Sequence, residues 1–189
     1  MSKRKLKVWI NTDYCAIKSG LGRNAKELLI YLYKTNKYDL GLYGCGTSWE
    51  NPDYQRYPFL IRGTLPNTQQ EMDQINKDPN YARACSYGLY YIDRLIKEYK
   101  PDVLMIFNDT WASQSYLDKI WWNKIHCIPV KTIDSLPLIP DQKKYIEKSK
   151  DFFVWSEFAE NEAKKLGYNN VKTIPGIISS KYFFKLPKY

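Results

Sequence analysis

Short apolar runs and helical apolar stripes alternate along the chain. Leu6 to Asn11 reads as a short strand with Lys7 as its polar exception, and residues 12–22 follow as a loop. From Arg23 onward Ala25, Leu28, Leu29 and Leu32 recur at three-and-four spacing, one face of a helix. Tyr38 to Tyr43 predicts a second strand, closed by Gly44-Cys45-Gly46. Residues 45–80 hold Pro52, Pro58, Pro66 and Pro79 and little periodicity, the pattern of a long irregular excursion with a short strand at Tyr57 to Ile61. Cys85, Leu89, Ile92 and Ile96 define a further helix, ended at Lys100-Pro101. Val103 to Phe107 is a continuous apolar run, as in a strand buried on both faces. Residues 112–123 read as helical, His126 to Ile133 as a strand, and 141–149 as a short polar helix after Pro137 and Pro140. Asp151 to Trp155 predicts a strand. Ser156 then caps a helix whose face is Phe158, Ala159, Ala163 and Leu166, with Gly167 at its end. Val171 to Ile174 is the last strand, stopped by Pro175-Gly176.

This alternation predicts an α/β fold: a Rossmann-like, doubly wound, mainly parallel sheet with helices on both faces. Residues 1–180 are expected to form that domain, and 181–189 to begin an interdomain linker or C-terminal tail. In such sheets ligands bind outside the carboxyl ends of the strands. The residues to inspect are therefore Ser19-Gly20-Leu21-Gly22-Arg23, Asn108-Asp109, Asp134-Ser135, Ser156-Glu157-Phe158 and Pro175-Gly176. They are expected to converge on one edge.

Composition narrows the class. A hydrophobic content of 44% with 16% aromatics belongs to a globular chain. No apolar run approaches a membrane span. The apolar part of MSKRKLKVWI is too short for a signal peptide and lacks a small-residue cleavage site, so a cytoplasmic protein is expected. The net charge of +9 suits anionic partners such as nucleotides, nucleic acid or acidic lipid headgroups. The lysines are scattered, which is equally the pattern of solvated faces. Cys15, Cys45, Cys85 and Cys127 form no C-x-x-C pair, and His126 is the single histidine, so a zinc site is not expected. The four read as buried thiols, with a disulfide as the alternative.

Gly20 and Gly22 would let the backbone turn tightly and bring N–H groups to a phosphate at a helix N-terminus, with Arg23 adding a cation. The same glycines would also serve an ordinary strand-to-helix turn. Four segments carry a resemblance: SGLGRNAKELLIYL, PDVLMIFND, PVKTIDSLPL and VWSEFAENEAKKLGYNNVKTIPGI. In this order they resemble the N-terminal, acceptor-side domain of GT-B fold glycosyltransferases, specifically the large retaining group 4. The resemblance spans about Lys5 to Lys185. The run Ile174-Pro175-Gly176-Ile177-Ile178 departs from the family's last motif, which has His or Asn between Pro and Gly and an Asp two residues after that Gly.

The resemblance implies transfer of a sugar from a nucleotide-sugar donor to a hydroxyl acceptor with retention. It puts Gly20, Leu21, Gly22 and Arg23 beside the donor diphosphate and the acceptor. Asp134 lies where the family places an acceptor-contacting His or carboxylate, and would orient the acceptor hydroxyl. The competing role for Asp134 is a turn residue before Leu136-Pro137. Asn108, Asp109, Ser156 and Glu157 are acceptor-binding candidates, with helix N-caps as the competing role of Asp109 and Ser156. Pro175 and Gly176 mark the hinge. No metal or cofactor is implied, since helix dipoles and basic side chains can stabilise the leaving diphosphate, and no Asp-x-Asp motif occurs. His126 reads as an ordinary core or surface histidine. Trp49, Tyr54, Tyr57, Trp111, Trp121 and Trp122 could stack on sugars or bases, those within 45–80 being the better candidates for acceptor contact.

A complete enzyme of this kind has a second Rossmann-like domain, expected here in cis or in trans. The isolated chain is accordingly expected to be inactive. A basic surface also admits peripheral contact with an acidic membrane. The alternatives are a glycan-binding or partner-dependent module without activity of its own, and a nucleic-acid-directed viral glycosyltransferase.

Overall fold

The computed structural model describes residues 4–177. Its strands are β1 (Leu6–Asp13), β2 (Tyr38–Ser48), β3 (Leu60–Leu65), β4 (Val103–Phe107), β5 (His126–Lys131), β6 (Phe152–Val154) and β7 (Val171–Thr173). They form one sheet in the order β3-β2-β1-β4-β5-β6-β7, parallel throughout. The predicted Rossmann-like α/β class is the observed one. From β1 the chain winds outward to β2 and β3, then returns to β4 on the other side of β1. The switch point therefore lies between β1 and β4.

The helices are α1 (Gly20–Thr35), α2 (Gln69–Ile75), α3 (Pro79–Ser86), α4 (Ile92–Tyr99), α5 (Thr110–Ser113), α6 (Pro140–Glu147) and α7 (Glu157–Lys165). On one face of the sheet, Leu28, Leu29 and Leu32 of α1 pack against Val8, Ile10, Leu40 and Leu42. On the other, Ile92 and Leu95 of α4, Tyr145 and Ile146 of α6, and Ala159 and Ala163 of α7 pack against Trp9, Leu104, Ile106, Cys127, Phe152 and Val154. Successive strand residues point to opposite faces, so β1 contributes Val8 and Ile10 to one layer and Trp9 to the other. Each large aliphatic side chain removed from water contributes about 1.5–3 kcal/mol, which holds the layers together.

Several elements differ from expectation. Helix α1 starts at Gly20, so Gly20, Leu21 and Gly22 form its first turn rather than the end of a loop. The segment 45–80 is ordered. Beyond the end of β2 it contains a 3-10 turn at Pro52–Arg56, β3 and α2, with α3 starting at Pro79. Its polar residues, read as irregular, are caps: Asn51 accepts from the Asp53 amide, Thr68 from that of Glu71, and Asp78 from those of Asn80 and Tyr81. The helix expected through Cys85 and Ile96 is broken at Gly88, whose φ is +110°. A Cβ there would stand 2.3 Å from the Tyr116 hydroxyl, so only glycine fits. Residues 112–123 are not one helix: α5 lasts four residues and gives way to a 3-10 turn at Gln114–Asp118. All four cysteines are buried free thiols. The expected linker at 181–189 lies outside the described residues.

Candidate active site at the switch point

Strand register sets the level of each functional group. Asn11 of β1 pairs with Ile106 of β4, so Asp13 and Asn108 stand level two residues later. Asn11 also pairs with Tyr43, and Asp13 with Cys45, across β2. Phe107 pairs with Val130, which brings Lys131 level with Asn108. The carboxyl ends of β1, β4 and β5 thus stand side by side around the switch point, where open parallel sheets place their ligand crevice.

Its floor is a buried polar network. The Asn108 Oδ1 accepts from Ser113 Oγ at 2.8 Å and from Lys131 Nζ. Asn108 Nδ2 donates to Asn11 Oδ1 at 3.3 Å, and Asn11 Nδ2 donates to the Tyr43 carbonyl at 3.1 Å. Lys131 Nζ also donates to Ser113 Oγ at 2.7 Å and lies 4.6 Å from the centre of the Tyr145 ring. Lys131 is fully buried, with no carboxylate in salt-bridge contact among the described residues. Burial pushes its pKa well below the ordinary lysine value, while Asp109 and Cys45 act to raise it. Cys45, held by burial at a pKa of about 12, stays a thiol. Asn108 was expected to meet sugar hydroxyls. Instead it is buried and its amide is oriented by partners within the floor. Lys131 was not singled out from the sequence. The available signal was a lysine closing the apolar run Cys127 to Val130 at the edge where polar groups collect.

The rim starts at β1. Ser19 Oγ donates to Asp13 Oδ2 at 2.5 Å and accepts from the Gly22 amide at 2.9 Å, capping α1. The Arg23 amide bonds to the Ser19 carbonyl at 3.1 Å. The Gly20 and Leu21 amides have no hydrogen-bond acceptor among the described residues. The two glycines differ. A Cβ on Gly22 would lie 2.8 Å from the Ile17 carbonyl oxygen, whereas one on Gly20 would meet nothing within 4 Å. Arg23 is exposed and forms no ion pair among the described residues.

On the β4 side, Asp109 occupies the N-cap position of α5 but its carboxylate makes no capping bond. It is exposed beside the crevice. Tyr87 reports the local charges: burial raises its pKa, Cys45, Asp13 and Asp109 raise it further, and Arg83 opposes them. Asp134 stands three residues past β5, exposed, with no hydrogen bond to the described residues. It follows Ile133, which is buried in the core, and precedes the cis Leu136-Pro137 peptide. Ser156 caps α7 through the Ala159 amide at 3.3 Å, so capping is its observed role. Glu157 is exposed in the first turn of α7.

Pro175 and Gly176 are exposed on a segment that leaves β7 and returns to α1. The Ile174 amide donates to Val154, and the Ile177 amide donates to Asn24 Oδ1 at 2.7 Å. The chain thus crosses from the last strand back to α1 at Asn24. His126 is half-exposed at the opposite edge, 3.4 Å from Asp151.

A cleft of about 400 Å³ opens at the amino-terminal edge of the sheet, lined by residues that include Lys5, Lys7, Trp9, Tyr38 and Tyr99. There Lys5 bonds to Asn36 and Lys7 to the Tyr99 carbonyl. The convergent polar groups and the switch point lie at the other edge, where parallel sheets bind ligands. Among the described residues no three His, Cys, Asp or Glu side chains gather to hold a metal ion. No described helix is long and apolar enough to cross a membrane.

No family model matches the sequence, and no curated protein matches it. Solved structures do. UDP-GlcNAc 2-epimerase from Methanocaldococcus jannaschii superposes with a TM-score of 0.51 at 16% identity, over 92% of this chain and 46% of its own. The likeness is one of fold. UGT2 of Phytolacca americana gives a TM-score of 0.51 at 11% identity, over 91% of this chain and 51% of its own. This chain therefore spans about half the length of these proteins and has the fold of one GT-B-like domain.

Proposed function

We propose that this chain is the acceptor-side half of a retaining, group-4-like glycosyltransferase that uses a nucleotide-sugar donor. The observation that supports it most is the crevice between β1 and β4. One wall is the start of α1, with the Gly20 and Leu21 amides and Arg23; the other carries Asp109. A developing diphosphate charge is favoured at such a helix start. An acceptor hydroxyl is oriented by Asp134 or Asp109, and in a retaining reaction the leaving phosphate takes its proton. The second Rossmann-like domain, in cis or in trans, closes the crevice. No metal enters this reading.

The test uses the protein as its source makes it, incubated with nucleotide-sugars and with acceptors extracted from that source. Transfer with retained anomeric configuration, read by proton NMR of the product, is the expected result. Inversion would remove the group-4-like part of the reading, and absence of transfer from any nucleotide-sugar would remove the whole. Arg23→Gln is expected to lower kcat/KM at least tenfold, about 1.4 kcal/mol of lost transition-state stabilisation.

A further inference from the structure

Of the aromatic residues that could meet a ligand, those in the 45–80 segment were the expected ones. Trp49 and Tyr54 are buried there and pack in the two cores. The exposed indole is Trp111, with 41% of its surface accessible. It stands two residues after Asp109, at the β4 side of the crevice. The Arg83 guanidinium lies over its ring at 4.0 Å, and Tyr87 meets it edge-on at 4.9 Å. These residues, with Asn80, Ala84 and Ala112, line a pocket of about 150 Å³. That is room for one small ring, since sites for larger ligands run to ~300 Å³ and above.

Arg83 is the informative member. Its guanidinium donates to no acceptor and pairs with no carboxylate among the described residues. Stacking on the indole holds the planar fork in place and leaves its N–H edge for a ligand. A flat cation with an open fork selects a carboxylate or phosphate by bidentate hydrogen bonding. The indole supplies an apolar face on which the C–H side of a sugar can rest. Asp13 and Asp109, both within electrostatic reach of Tyr87, would repel a ligand that was anionic throughout, and can accept from neutral hydroxyls.

We propose that Arg83, Trp111 and Tyr87 form an acceptor subsite for a hydroxyl-rich sugar ring that carries one anionic group, a carboxylate or a phosphate. The proposal rests on the glycosyltransferase reading and specifies its acceptor class. Hydroxyls face the Asp13 and Asp109 side, where transfer takes place, and the anion faces Arg83.

The 189-residue protein is titrated with methyl glucoside, methyl glucuronide, glucose 6-phosphate and inorganic phosphate. The indole N–H resonance of Trp111, assigned with Trp111→Phe, is the readout. The glucuronide or the sugar phosphate is expected to bind at least about tenfold tighter than the neutral glucoside, and the better of the two identifies the anion. Arg83→Gln, an exposed change that leaves the core untouched, is expected to abolish that preference, and Arg83→Lys to lose most of it. Equal binding of neutral and charged sugars, no shift at Trp111, or an unchanged preference in Arg83→Gln would overturn the proposal. Inorganic phosphate binding as tightly as the sugar phosphate would reduce the site to a simple anion contact and overturn it too. Nucleotide-sugar transfer by the source protein without this preference sinks the subsite alone. The preference without any transfer sinks the transferase reading and with it the acceptor role.

Discussion

Gly22 and Gly20 stand two residues apart and respond oppositely to a methyl group. Gly22→Ala drives a Cβ to 2.8 Å from a backbone carbonyl that cannot easily move, and is expected to cost about 1–3 kcal/mol. Gly20→Ala meets open space and is expected to be neutral or to stabilise by up to ~1 kcal/mol through helix propensity. Urea unfolding midpoints of the two variants check both signs. Lys131 predicts a pH effect. Its folded pKa is depressed, so between that value and the ordinary lysine value the unfolded chain binds the extra proton. Stability therefore rises with pH across that window and falls as pH drops back through it. Lys131→Met, which removes the buried amine and leaves Ser113 Oγ donating to Asn108, is expected to rise less between pH 7 and pH 10. Parallel slopes in wild type and variant would show that the amine is not titrating there.

Helix α1 shows how an element is positioned for function. Its cap links three residues in series, Asp13 to Ser19 to the Gly22 amide. Ser19→Ala is expected to cost about 1 kcal/mol and to speed hydrogen exchange in the first turn, with the rest of the helix unchanged. Most elements of this kind were legible from spacing alone. The apolar run of β4, the stripe of α1 and the cap of α7 each carry a local signal; β4 and the α7 cap form where that signal puts them, and α1 begins at Gly20, three residues before the Arg23 start of its stripe. The segment 45–80 was misread because its polar residues serve as caps for short elements, which leave too few apolar repeats to show a period. The break at Gly88 was invisible because it depends on Tyr116 and Tyr43, distant in the chain.

At the scale of the whole molecule, the proposed transferase reading needs a second domain to close the crevice between β1 and β4. The purified chain is expected to unfold cooperatively, to bind nucleotide-sugar with a Kd weaker than ~1 mM, and to show no turnover alone. Calorimetry and a transfer assay test this, and turnover by the chain alone would contradict it. DNA binding that is strong at low salt and falls steeply with added salt would instead support the nucleic-acid-directed alternative.

The alternation of strands and helices is written in the chain, and with it a parallel sheet whose ligand edge carries the residues that follow each strand. Those features depend on period and on capping, which are local properties of the chain. It also placed Asp109, Asp134 and the α1 start on that edge. What each group does there depends on contacts made in the folded chain. Asn108 is turned inward because Lys131 and Ser113, 23 and 5 residues away in the chain, donate to its oxygen. Trp111 is exposed, whereas Trp9, Trp49, Trp121 and Trp122 are buried in the core. Arg83 reaches it only because α3 packs beside α5. Orientation, burial and partnership arise from contacts between distant segments, and spacing along the chain does not carry them.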